Sequence, residues 1–104
     1  MREVTDASFE AEVLEATGPV IVDFWAPSCK PCEAIEPALE GIAADTGIAL
    51  VRLDIDEHLA VPSRYGILSL PTVMLFAGGE VKATVVGARP RRHFERAFAE
   101  WLPT

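Results

Sequence analysis

The chain has 104 residues, of which 50% are hydrophobic and 24% charged; that suits one compact domain with a single core and argues against global disorder. The formal net charge of -7 excludes generic nucleic-acid binding, which requires a basic face to displace phosphate counterions. No apolar run approaches the roughly 20 residues that span a bilayer, and no apolar stretch of signal-peptide type follows the opening Met1-Arg2-Glu3-Val4-Thr5-Asp6, so the expectation is a cytoplasmic protein with no membrane partner.

The first predicted element is a helix over 6–16, with Asp6 as its cap, Phe9, Val13 and Ala16 on one face, and Gly18-Pro19 as the stop. A short strand before Asp6 is compatible with the pattern. The run 20–26 is apolar and β-branched, as in a strand buried on both faces. Its single acid, Asp23, is the anomaly. The next helix is predicted to start near Cys29 and run to about 45. Ile35, Leu39, Ile42 and Ala43 form its stripe, Pro37 should kink it, and Gly47 closes it.

A second apolar strand, 48–55, is interrupted by Arg52 and Asp54. A short helix over 57–65 ends at Gly66. Strands 72–77 and 81–86 flank Gly78-Gly79 as a hairpin. Pro90 opens a last helix whose apolar face is Phe94, Ala97, Phe98 and Trp101. Arg89, Arg91, Arg92 and Arg96 crowd its start, either as a solvated face or as a docking patch for an acidic partner. Early strands joined by helices should pair in parallel, and the late hairpin must be antiparallel. The fold class is therefore α/β, a central mixed β-sheet flanked by helices on both faces, in a single domain over 1–104.

The chemistry concentrates in Cys29-Lys30-Pro31-Cys32, placed just after a buried strand and opening a helix. Spacing of three brings both sulfurs to one helix end. There the macrodipole and the unpaired N–H groups favour a thiolate, the species that attacks disulfides. Lys30 adds local positive charge, Ser28 is a candidate N-cap, and Pro31 lacks an N–H that the first turn would leave unpaired anyway. Two alternatives stand beside a redox pair. Half of a zinc site would have to recruit the distant His58 and His93, and two inert thiols would need burial that a helix start does not supply. No glycine-rich phosphate loop is present, so no bound nucleotide is expected. Asp23, an acid among apolar residues, should have a raised pKa, which suits proton exchange near neutrality; a hydrogen-bonded acid without a catalytic part is the alternative.

Three segments carry a resemblance that runs over nearly the whole chain in order. VIVDFWAPSCKPCEAIEPALEGIA resembles the active-site strand and helix of the thioredoxin family, YGILSLPTVMLFAGGEV its second characteristic segment, and VGARPRRHFERAFAEWL its C-terminal helix. The resemblance implies the thioredoxin fold, protein-disulfide reduction by dithiol-disulfide exchange, and no cofactor beyond a Cys29-Cys32 disulfide. It implies a monomer that takes electrons from a flavin-containing, NADPH-dependent thioredoxin reductase and passes them to disulfide-containing proteins. By the same resemblance Cys29 is the exposed nucleophile, Cys32 the buried resolving thiol, Asp23 the acid that exchanges protons with it, and Pro71 a cis-proline facing the pair. Pro71 would leave the Leu70 backbone free to pair with an extended substrate. Arg52 stands where a lysine is common near the acid; pairing with Asp23 would lower the carboxyl's pKa against the effect of burial, and a surface arginine at a strand end is the alternative. Trp25, Ile55, Leu70, Gly87 and Ala88 match the flat apolar rim around the nucleophile.

The chain departs from the family's usual Trp-Cys-Gly-Pro-Cys at Ser28 and Lys30, and has Glu33 where lysine is common, with Glu36 one turn on. Lys30 favours the thiolate and a more oxidising pair, whereas Glu33 and Glu36 oppose it, so the net shift should be modest. Ser69 and Leu70 replace the more usual glycine and isoleucine and alter the surface a substrate touches. Ser28 and Lys30 motivate a competing reading, a specialised oxidant or isomerase for one partner; a third reading, a non-catalytic binding or chaperone module, has the intact Cys29, Cys32, Asp23 and Pro71 against it.

Overall fold

The computed structural model describes residues 1–103. In chain order they form β1 (Arg2–Glu3), a π-helical segment (Glu10–Leu14), β2 (Val20–Trp25), α1 (Lys30–Thr46), β3 (Ala49–Asp54), α2 (Ala60–Arg64), β4 (Thr72–Ala77), β5 (Glu80–Val86) and α3 (Arg91–Ala97). The strands make one sheet in the order β1-β3-β2-β4-β5. β1, β3 and β2 run parallel, while β4 is antiparallel to β2 and β5 to β4. The mixed sheet with its antiparallel hairpin is thus the one the sequence predicts, and the short strand before Asp6 is present as β1.

Alternation along β2 divides the core in two. Val20, Val22 and Phe24 point to a layer with Phe9, Val13, Val51, Leu53, Val61 and Phe76. Ile21 points to the other, where Ile35, Leu39 and Ile42 of α1 meet Phe94 and Phe98 of the C-terminal helix and its end. Each layer rests on aromatic packing. Phe9, Tyr65 and Phe76 form a trio with ring centroids 5.2 to 5.9 Å apart, in tilted and edge-on arrangements that suit the ring quadrupoles. Asp23 shares the α1 face with Ile21, since both occupy odd positions of the same strand.

Two local expectations fail at the N-terminal segment. The predicted helix over 6–16 is shorter and π-helical, and Asp6 does not cap it. The Thr5 N–H donates to Ser8 Oγ at 2.9 Å and the Ser8 N–H to Thr5 Oγ1 at 3.0 Å, a reciprocal arrangement that closes the turn before Phe9. Asp6 instead accepts from the N–H groups of Ala60 and Val61 at 3.0 and 2.9 Å, capping α2 from 54 and 55 residues away. Those hydrogen bonds, the one from Val61 first, hold its carboxyl below the usual aspartate value. α1 stays helical through Pro37 and ends on Gly47 at φ +76°, whose N–H bonds the Ala43 carbonyl. That left-handed conformation is the reason for glycine there. Beside that end of α1, Arg91 of the arginine cluster is engaged by Asp45 and Glu95, so the patch is partly neutralised by its own fold. No helix among the described residues is long and apolar enough to cross a membrane.

Candidate active site

The carboxyl end of β2 leads through Ala26, Pro27 and Ser28 directly into α1, and the two cysteines sit at that junction. They are joined in a disulfide, with Cα atoms 5.3 Å apart. The N-cap is Cys29 itself rather than Ser28: its Sγ accepts from the Cys32 N–H at 3.2 Å, and the Cys29 N–H is bonded back to the Ala26 carbonyl at 3.0 Å. A serine hydroxyl one residue earlier is therefore not needed. Lys30 opens the helix and Pro31 follows it in the first turn. This places a backbone donor and the positive helix end at the first sulfur. The two sulfurs differ in access. Cys29 is half-buried and Cys32 is only 1% exposed, so Cys29 is the more accessible sulfur.

The same end of the sheet gathers the other predicted residues. Thr72 is in register with Phe24 of β2 and Val86 of β5, so Pro71 and Gly87 flank the cysteine junction. The Gly87 N–H donates to the Pro71 carbonyl at 2.9 Å, and the Leu70-Pro71 bond is cis. Ile55 is tied to Trp25 by a 2.9 Å bond from its N–H to the Trp25 carbonyl. Ile55 and Leu70 both pack partly against the Phe9 and Phe24 layer. Ser28, Lys30, Pro31 and Ala88 are exposed, and Leu68, next to this loop, is the most exposed large apolar side chain at 96%. A cleft of about 640 Å³ opens at the opposite end of the sheet, where Pro19, Val20, Gly47 and Trp101 line it, away from the sulfurs.

Asp23 is fully buried, and among the described residues neither carboxyl oxygen has a hydrogen-bond partner. Burial first, and then the negative charge of Glu36, push its carboxyl up to about 7; Arg52, the smallest of the three influences, opposes them. Arg52 is the direct register partner of Asp23 across β2 and β3, yet it does not pair with it. Its Nη1 bonds Glu36 Oε2 at 3.1 Å, its Nε lies 3.7 Å from Glu3 Oε1, and its guanidinium stacks 4.0 Å over the Trp25 ring. Arg52 is thus neither the acid's partner nor a free surface cation. Glu36 changes role accordingly: the sequence presents it as a charge acting against the thiolate, whereas the fold pairs it with Arg52 and sets it near Asp23. The available signal was Arg52 itself, a buried-strand cation whose carboxylate had to come from a packed helix. Among the described residues no group of three or more histidine, cysteine or acidic side chains could hold a metal ion.

The chain matches the family model described as Thioredoxin over residues 1–100. It is 48% identical over 92 residues to a thioredoxin of Streptomyces clavuligerus, covering 88% of this chain and 86% of that one. It is 47% identical to a thioredoxin of Rhodospirillum rubrum, with 88% and 89% covered. With the chloroplastic thioredoxin M2 of Arabidopsis thaliana it shares 44% identity over 102 residues, which span 96% of this chain and 55% of that longer protein.

Proposed function

Since the chain belongs to the thioredoxin family and is a thiol-disulfide oxidoreductase, we propose that it reduces protein disulfides with Cys29 as attacker, Cys32 as resolver and Asp23 as the resolver's proton acceptor. The observation that carries this division is the unequal exposure of two sulfurs joined at one helix start, above a strand whose only acid is buried and unpaired.

In the reduced protein the Cys29 thiolate attacks one sulfur of a substrate disulfide. A mixed disulfide forms, and the substrate's other sulfur leaves as a thiolate that takes a proton from water. Ionised Asp23 accepts the Cys32 proton. The Cys32 thiolate then attacks Cys29 Sγ, forming the Cys29-Cys32 disulfide seen here and expelling the second substrate sulfur as a thiolate, and the proton held on Asp23 returns through solvent to give the thiol. Two electrons pass from the dithiol to the substrate. A carboxyl with a pKa of about 7 suits this exchange, because it takes and returns the proton at little cost near neutrality.

A flavin-containing, NADPH-dependent thioredoxin reductase is the proposed electron donor, and the cytoplasm, where such a donor operates, is the proposed setting. The partner surface is the rim formed by Trp25, Ser28, Lys30, Pro31, Ile55, Leu70, Gly87 and Ala88, with the Leu70 backbone offered to an extended segment of substrate. Reduction of insulin disulfides in the presence of NADPH tests the donor: turnover is expected with thioredoxin reductase and not without it. Turnover with dithiothreitol but none with the reductase would point to another donor.

Lys30 is exposed at the first helical position beside Cys29. Its charge favours the reduced, thiolate-bearing state, while Glu36 is paired with Arg52 and Glu33 faces solvent. Lys30→Gly should therefore make the pair more reducing, by about 30 mV or less for one solvated charge. Equilibration of the wild type and the variant with glutathione checks this; equal potentials would remove Lys30 from the account.

A further inference from the structure

An arginine in register with a buried aspartate on the neighbouring strand has an obvious partner. A fork of two N–H donors onto that carboxylate would be short and charge-assisted. Here the fork is turned away. Glu36 of α1 takes Nη1 at 3.1 Å, Glu3 of β1 stands 3.7 Å from Nε, and the Trp25 ring lies 4.0 Å beneath the guanidinium. Only the Glu36 contact is a hydrogen bond among the described residues. Glu36 is also the better shielded of the two acids, with its side chain 30% exposed against 55% for Glu3. Among the described residues Asp23 is left with both oxygens unpartnered.

We propose that Glu36 is a positioning residue of the redox centre: by holding the Arg52 guanidinium it keeps that cation from pairing with Asp23 and so leaves the carboxyl free to carry the dithiol's proton. The proposal rests on the reading that Asp23 serves Cys32.

The groups packed around Asp23 bear this out. α1 presents Glu36, whose charge acts on the carboxyl. β3 presents Arg52, backed by Glu3 of β1, and the register partner on β4 is the uncharged Val73. With Glu36 ionised, Arg52 is outnumbered by the two acids that hold it, and its influence on Asp23 is the smallest of the three that act there, after burial and Glu36. Removing the Glu36 charge has two consequences of one sign. A negative charge near Asp23 disappears, and a guanidinium bonded elsewhere is released toward it. Both favour the ionised carboxylate. A carboxylate paired with arginine then holds its charge too well to take a proton from Cys32 and return it.

The test is the titration of Asp23 in the oxidised full-length protein, followed by carboxyl-carbon NMR in the wild type and in Glu36→Gln. The glutamine is isosteric and keeps the helix surface. The Asp23 acidity constant is expected to rise about tenfold or more, the size of shift that an approaching opposite charge produces. In an Arg52→Met background the same Glu36→Gln change should have a clearly smaller effect, because no cation is left to release. The pH profile of insulin reduction should move down with the titration. An unchanged titration in Glu36→Gln would overturn the proposal, as would an effect undiminished in the Arg52→Met background. A titration that moves while the pH profile stays fixed would instead overturn the proton-carrying reading of Asp23 and the proposal with it. A merely structural Glu36 would lower thermal stability and leave the titration where it was.

Discussion

Cys29→Ser should reduce insulin reduction by a factor on the order of 10³ or more, as removal of an enzyme's nucleophile does elsewhere, whereas Cys32→Ser should stall with substrate attached. The two outcomes differ because the two sulfurs differ. Cys29 is the sulfur more open to solvent, and its Sγ is the atom toward which the Cys32 N–H points. Serine at that position keeps the cap but has no accessible anion at neutral pH and no sulfur to exchange. Cys32 is 1% exposed and cannot take over the attack without unwinding the first turn of α1. In Cys32→Ser the attack proceeds, and the mixed disulfide has no internal route to release. Mass spectrometry of each variant after mixing with an excess of disulfide substrate separates the roles: a covalent adduct of Cys32→Ser, and none of Cys29→Ser. An adduct on Cys29→Ser would reverse the assignment of attacker and resolver.

What was legible in the sequence follows the range of the interactions involved. The β2 strand, the α1 stripe, the Gly47 stop and the β4-β5 hairpin are written in spacing and in single residues with strong backbone preferences, so they appear at or near their predicted positions. The Cys29-Cys32 pair is legible for the same reason, since three residues on a helix bring the sulfurs together. Asp6 was misplaced because a carboxylate can cap any helix start it reaches. The local pattern offered 6–16, and the fold offered Ala60 and Val61. Thr5 and Ser8 close the first turn without it. Ser28 lost the cap of α1 to Cys29 through a one-residue difference in where the helix begins, below what spacing resolves. The partner of Arg52 was the least legible of all. Strand register places it beside Asp23, and only the packing of α1 over the sheet brings Glu36 to it.

Asp23→Asn should stabilise the oxidised protein at high pH and leave it nearly unchanged at low pH, a difference of about 4 kcal/mol across the range. The sign follows from the direction of the pKa change. The carboxyl stands at about 7 in the fold against an ordinary 3.8. Below pH 4 both folded and unfolded chains carry a neutral acid, and its stability contribution is fully present. Between about pH 4 and 7 the unfolded chain releases the proton while the folded chain retains it, so the folded state loses ground by about 1.4 kcal/mol for each pH unit. Above 7 the folded chain holds a buried charge whose oxygens no donor among the described residues reaches, and the full cost, roughly three pH units' worth, is in place. Asparagine has the same shape and no charge to bury, so the variant escapes that slope while sharing the cost of an unpaired polar group. Urea unfolding at pH 4, 6 and 8 reads the effect directly; parallel stability curves for the two proteins would mean that Asp23 ionises as easily inside the fold as outside it. The same substitution should slow the Cys32 step, since the amide accepts no proton from the thiol. On the proposed roles, the residue that weakens the fold at neutral pH is the one that the exchange reaction would use, and Glu36 held on Arg52 would keep it in that costly, unpaired state.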